Sequence, residues 1–132
     1  IQQLADFQFH KVEQFGVVSL DTKHRVMRTT VVTIGTLDAS IVHPREVFRE
    51  AAAAGAAAII VFHNHPSGDP EPSKDDVELT HRLIAAGVLM GIDVLDHVIL
   101  GNVRYCSMKC WTMAETGQST KSLRDSPLRR GP

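Results

Sequence analysis

Residues 65–72 read HPSGDPEP, and this stretch restricts the fold more than any other. Its three prolines and one glycine rule out a helix or a sheet ladder, because each proline lacks an amide proton and fixes its own φ. The stretch is a loop of restricted shape. Before it, Ala57 to His63 is an apolar, strand-forming run. After it, Ser73 opens a helix whose apolar positions Val77, Leu79, Leu83, Ile84, Val88 and Leu89 keep roughly helical spacing up to Gly91. The loop therefore joins a strand end to a helix start and can fold one back towards the other.

The other elements follow from similar signals. Phe15 to Asp21 and the β-branched run Val26 to Gly35 read as a hairpin. Pro44 suits a first helical turn, Arg45 to Ala54 are good helix formers, and Gly55 ends the helix. Asp93 to Leu100 and Val103 to Met108, separated by Gly101-Asn102, read as a closing hairpin. Strands and helices interleave, which predicts an α/β sandwich with a mixed sheet. With 132 residues, 43% of them hydrophobic, the chain is the size of one domain with its own core. That domain is expected over residues 1–114, with Trp111 as a core anchor and 115–132 as a polar, basic, disordered tail. Opening at Ile1 rather than Met, the sequence is expected to be a segment of a longer protein.

Charge narrows the function classes. The net charge is −1. Lys121, Arg124, Arg129 and Arg130 against Asp125 give residues 119–132 a charge of +3, leaving −4 for the rest. Such a body carries no electrostatic footprint for phosphate backbones, so direct nucleic-acid binding by this domain is not supported by charge. No apolar run is long enough to cross a bilayer, and residues 1–14 show no basic stretch followed by an apolar one. Cys106 and Cys110 are too few for a disulfide framework, and the expectation is a reduced, cytoplasmic protein.

The chemistry sits at the two ends of the loop. His63 and His65 are two apart in an extended strand end, so both imidazoles face one side while Asn64 points away. Asp76 falls in the first turn of the next helix, where free amides and the helix dipole favour an ionised carboxylate. Two neutral imidazoles and one carboxylate suit Zn2+ and leave its fourth position open, the arrangement of catalytic rather than structural zinc. Water bound there loses a proton near neutral pH. A plainer reading stands beside this one. S-x-x-D at Ser73 to Asp76 is close to a helix capping box, and an aspartate committed to a metal is expected to cap poorly. H-x-H alone is more often a pair of surface histidines.

The pattern H-x-H-x7-S-x2-D resembles the signature of the JAMM (MPN+, JAB-type) metalloproteases. More closely, SLDTKHRV, GTLDASIVHPREVF, HNHPSGDPEPS and LDHVILG resemble the bacterial RadC family, over nearly all of Phe9 to Met108. The resemblance implies a three-layer, cytidine-deaminase-like α/β/α fold with zinc on His63, His65 and Asp76. It implies that Ser73 holds the metal's water or the tetrahedral oxyanion. It also implies that an upstream glutamate is the general acid and base, a role matched by Glu13, with Glu46 and Glu50 as alternatives that read as exposed helix residues beside Arg45 and Arg49. The expected substrate is a peptide or protein, cut at an amide bond.

Two rivals come from other classes: a DNA-repair or genome-maintenance protein acting by binding, as the historical name of the RadC family suggests, and a metal-free scaffold. The complete ligand set counts against the scaffold. The adjacent letters H-N-H do not make the nuclease of that name, and zinc deaminases need H-x-E with a later P-C-x-x-C, which is absent here. His97, in LDHVIL, reads as a half-buried strand residue outside the site. His10, His24, His43 and His81 show no ligand spacing.

Overall fold

A computed structural model describes residue 4, residues 12–34 and residues 42–109. The expectations for Trp111, Cys110, His10 and the 115–132 tail lie outside the described residues. The elements run β1 (Gln14–Leu20), β2 (Val26–Ile34), α1 (Pro44–Ala54), β3 (Ala58–Asn64), α2 (Lys74–Met90), β4 (Asp93–Leu100) and β5 (Tyr105–Ser107). They form one five-stranded sheet in the order β2-β1-β3-β4-β5. Only β3 and β4 pair in parallel; β1 with β2, β1 with β3 and β4 with β5 are antiparallel. This is the expected α/β fold on a mixed sheet.

The helices are bounded by the residues that bounded them in the sequence. Pro44 sits in the first turn of α1, and Gly55 closes it in the left-handed region at φ 70°, its amide reaching back to the last turn. Gly91 does the same for α2 at φ 72°. Both helices cover one face of the sheet: Val47, Phe48 and Ala51 of α1 and Leu79 and Leu83 of α2 pack on Phe15, Val17, Ile59 and Val61. On the opposite face Leu4 packs with Val18, Leu20, Phe62, Val98 and Leu100. β1 and β3 are buried on both faces, as near-continuous apolar runs should be. No described helix is long and apolar enough to cross a membrane.

The apolar spacing of α2 needs one correction. Leu79 and Leu83 lie in the core, but Val88 is 75% and Leu89 89% exposed. The cause is Gly87. A Cβ there would fall about 3.1 Å from Val94 Cγ2 and 2.5 Å from the Ile92 carbonyl oxygen, so the helix meets the sheet on its glycine and turns the next two side chains outward. Leu83→Ala should then lower stability by about 2–5 kcal/mol, and Leu89→Ala by less than about 0.5 kcal/mol. Urea unfolding measures both, and equal losses would contradict this packing.

Candidate metal centre

The site is assembled by strand register. β3 lies between β1 and β4, with Phe15 opposite His63 on one side and Ile99 on the other. The His65 amide donates to the Leu100 carbonyl at 2.9 Å, which extends the parallel pairing just past the strand end. His63 and His65 therefore project to the helix-covered side at the carboxyl end of β3. The loop then returns. It is held against the turn after β4 by the Asn102 amide on the Gly68 carbonyl (3.0 Å). Gly101 makes this approach possible, since a Cβ there would run into Gly68 backbone and Pro70.

The first turn of α2 lands beside the two histidines. His63 Nε2 lies 3.3 Å from Asp76 Oδ1, His65 Nε2 lies 3.4 Å from Asp76 Oδ2, and the two Nε2 atoms are 3.1 Å apart. Among the described residues these three form the one group whose ligand atoms converge closely enough to share a metal ion. The spacing fits such an ion. Four ligands about 2.0–2.1 Å from a tetrahedral centre sit about 3.3–3.4 Å from one another. Lone pairs that face each other in a buried site also call for a cation between them.

Second partners hold each ligand in place. His65 Nδ1 lies 2.9 Å from the Asp69 carbonyl, a pure acceptor, so Nδ1 carries the proton and Nε2 is free to ligate. Burial alone would lower the His65 pKa; Asp76, the Asp69 carbonyl and the charge of Glu13 outweigh it and raise the pKa above the ordinary 6.5. Burial likewise works against ionised Asp76, but the neighbouring His63 and His65, with the Ser73 amide, hold its carboxyl far below the usual range. Phe15 stacks on the His63 ring at 5.8 Å between centroids.

Ser73 and Asp76 form the capping box that the sequence suggests, with the carboxylate still turned towards the two histidines. The Asp76 amide donates to Ser73 Oγ (3.1 Å) and the Ser73 amide donates to Asp76 Oδ2 (2.8 Å), a complete capping box. A carboxylate offers about four lone pairs. Capping uses one and leaves the others facing the imidazoles, so the cap orients the ligand.

Glu13 precedes β1, half-buried, and its charge acts on His65. Sequence spacing could not tie it to residues so far along the chain, but the antiparallel pairing of β1 with β3, which ends at Phe15 opposite His63, brings the start of β1 beside the end of β3. Asn64 fixes that segment. Its Oδ1 accepts from the Gln14 amide (2.7 Å) and its Nδ2 donates to the Val12 carbonyl (3.1 Å), bracketing Glu13 on both sides. Glu46 and Glu50 belong to α1, whose buried side is Val47, Phe48 and Ala51.

His97 overturns its reading. It is fully buried on the helix side, with Nε2 2.9 Å from His63 Nδ1 and Nδ1 2.8 Å from Thr80 Oγ1. Burial, then the charge of His63, pushes its pKa well below 6.5. A bulge in β4 sets the facing of His97. Opposite β3, Ile59 pairs with Val94 and Ile60 with Asp96, so Leu95 is an extra residue that reverses the facing of everything after it. Asp96 closes the bulge, accepting from the His97 amide (2.8 Å), the Lys109 amide (3.0 Å) and Ser107 Oγ (2.6 Å).

A mixed α/β sheet with a histidine pair at one strand end and an aspartate in the following helix turn makes an α/β domain with a group that could hold a metal ion. Sequence comparison agrees. The family model for the RadC-like JAB domain matches residues 1–113, and the chain belongs to that family. It is 52% identical over 99 residues to a UPF0758 protein of Methanosarcina barkeri, covering 75% of this chain and 43% of that one. It is 50% identical over 111 residues to a UPF0758 protein of Syntrophomonas wolfei, covering 83% and 47%. The chain thus spans less than half the length of these relatives, whose names assign no activity.

Metal binding must displace the proton that His65 holds below its raised pKa. Apparent affinity for a divalent ion is therefore full above that pKa and falls by about tenfold per pH unit below it. Calorimetric titration of the metal-free chain on either side of that pKa measures the slope, and His65→Ala should abolish binding. Affinity independent of pH, or intact in the variant, would contradict the assignment.

Proposed function

We propose that this chain is a zinc-dependent hydrolase of amide bonds, a metallopeptidase or isopeptidase, with His63, His65 and Asp76 as metal ligands and Glu13 and Ser73 as catalytic residues. The observation that carries the reading is the donor set: two imidazoles and one carboxylate leave a fourth position open, which a structural zinc site would fill with a further protein ligand. When bound there, zinc polarises a carbonyl and lowers the pKa of water. Membership of the JAB-type family supports the same class.

The remaining work falls to the chain's own groups. Glu13, held from both sides by Asn64, takes a proton from the attacking water and delivers it to the departing amine nitrogen. Water and the amide are thereby converted to a carboxylate and an amine. Ser73 Oγ already accepts from the Asp76 amide. Its own proton remains free to donate to the oxyanion that forms on the carbonyl oxygen. Because the same hydroxyl caps α2, its position is set by the turn that positions the ligand.

Purified protein should contain about one zinc per chain. On zinc-loaded protein, a peptide-library cleavage assay should show hydrolysis that Glu13→Gln lowers by about 100-fold or more, with metal content unchanged. Full activity in the Gln variant would take the proton-transfer role away from Glu13, and protein without affinity for zinc would contradict the enzyme reading.

A further inference from the structure

The contact between His63 and His97 is one link in a chain of hydrogen bonds that ends on the helix turn carrying Asp76. His63 Nδ1 lies 2.9 Å from His97 Nε2, His97 Nδ1 lies 2.8 Å from Thr80 Oγ1, and Thr80 Oγ1 lies 2.8 Å from the Asp76 carbonyl oxygen. The directions of these bonds are determined by counting protons from the far end. A carbonyl oxygen only accepts, so the Thr80 hydroxyl donates to it, as threonine in a helix does to the carbonyl four residues back. That hydroxyl has one proton, so towards His97 it accepts. His97 Nδ1 therefore donates.

A neutral imidazole carries one N–H, so His97 Nε2 is left as an acceptor. His63 Nδ1 must then donate to it. The Nε2 of His63 keeps its lone pair, and this is the atom that faces His65 Nε2 and Asp76 Oδ1. Running the chain the other way would set the oxygen lone pairs of Thr80 and Asp76 against each other at 2.8 Å, which costs energy in a buried site.

We infer that Thr80 and His97 are positioning residues that lock the buried His63 in its Nδ1–H form, with Nε2 presented to the metal, and tie its ring to the same helix turn that supplies Asp76. This rests on the metal-site reading above and adds to it how one ligand's proton is placed. The bulge at Leu95 has a purpose in this arrangement, since unbroken alternation would carry His97 to the far face of the sheet. His65 needs no such relay because the Asp69 carbonyl fixes its proton directly.

The test compares the full chain with Thr80→Val, which removes the hydroxyl at nearly constant shape, with Thr80→Ser, which restores it, and with His97→Gln, whose amide oxygen can still accept from His63. Zinc affinity is read by competition with a chromophoric chelator, and the tautomer of His63 by ring-nitrogen NMR shifts of metal-free protein at alkaline pH, where histidines are neutral. Thr80→Val should fold and bind zinc about 10- to 100-fold more weakly, with His63 shifted towards a mixture of tautomers, whereas Thr80→Ser and His97→Gln should keep most of the wild-type affinity. Wild type should show Nδ1–H at His63. An Nε2–H tautomer in wild type, or a folded Thr80→Val with unchanged affinity and tautomer, would overturn the inference. Wild type that shows Nδ1–H but binds no zinc would sink the metal reading and leave the relay standing.

Discussion

His63 is 2% exposed and Asp76 3% exposed, and the structure around them follows from the need to satisfy polar groups taken out of water. An unpaired polar group in such a place costs about 1–3 kcal/mol, and a charge more. His63 uses Nδ1 on His97, Asp76 takes the Ser73 amide, and the three remaining ligand atoms converge on one point. A cation at that point would complete the set, whereas in its absence two imidazole lone pairs and a carboxylate face one another.

Such convergence needs a rigid frame, and the frame is the pair β1 and β3. Buried on both faces, β3 fixes His63 between Phe15 and Ile99 by register alone. The same pairing brings the start of β1 beside the end of β3, and Asn64 holds the backbone on both sides of Glu13. The first turn of α2 then serves two purposes with one pair of residues: the capping box that starts the helix also aims the carboxylate. Fold stability and site geometry thus share hydrogen bonds, and Ser73 cannot be moved without moving Asp76.

Local chemistry made much of this legible in the sequence. The prolines of 65–72, the glycines at 55 and 91 and the H-x-H spacing each dictate structure within a few residues, and each element they predicted is present. The candidate ligands were readable for the same reason: strand alternation and a helix start are local rules. What depends on distant pairing was not. Glu13 was reached by resemblance, because no local rule relates it to residues so far along the chain. His97 was misplaced because a bulge is decided by the partner strand and by Asp96, Ser107 and Lys109 across the turn, none of which alternation in LDHVIL reveals. Likewise Val88 and Leu89 keep the helical spacing of core residues, and it is the close approach at Gly87 that turns them out.

The central claim is that a strand end and a helix turn build one zinc site with an open position. X-ray absorption at the zinc edge tests it on the loaded chain without needing a substrate. The account predicts a four-coordinate ion with light ligands only, two of them imidazoles, at about 2.0–2.1 Å. A sulfur scatterer at about 2.3 Å, or a shell with fewer than two imidazoles, would place the metal elsewhere and contradict the account.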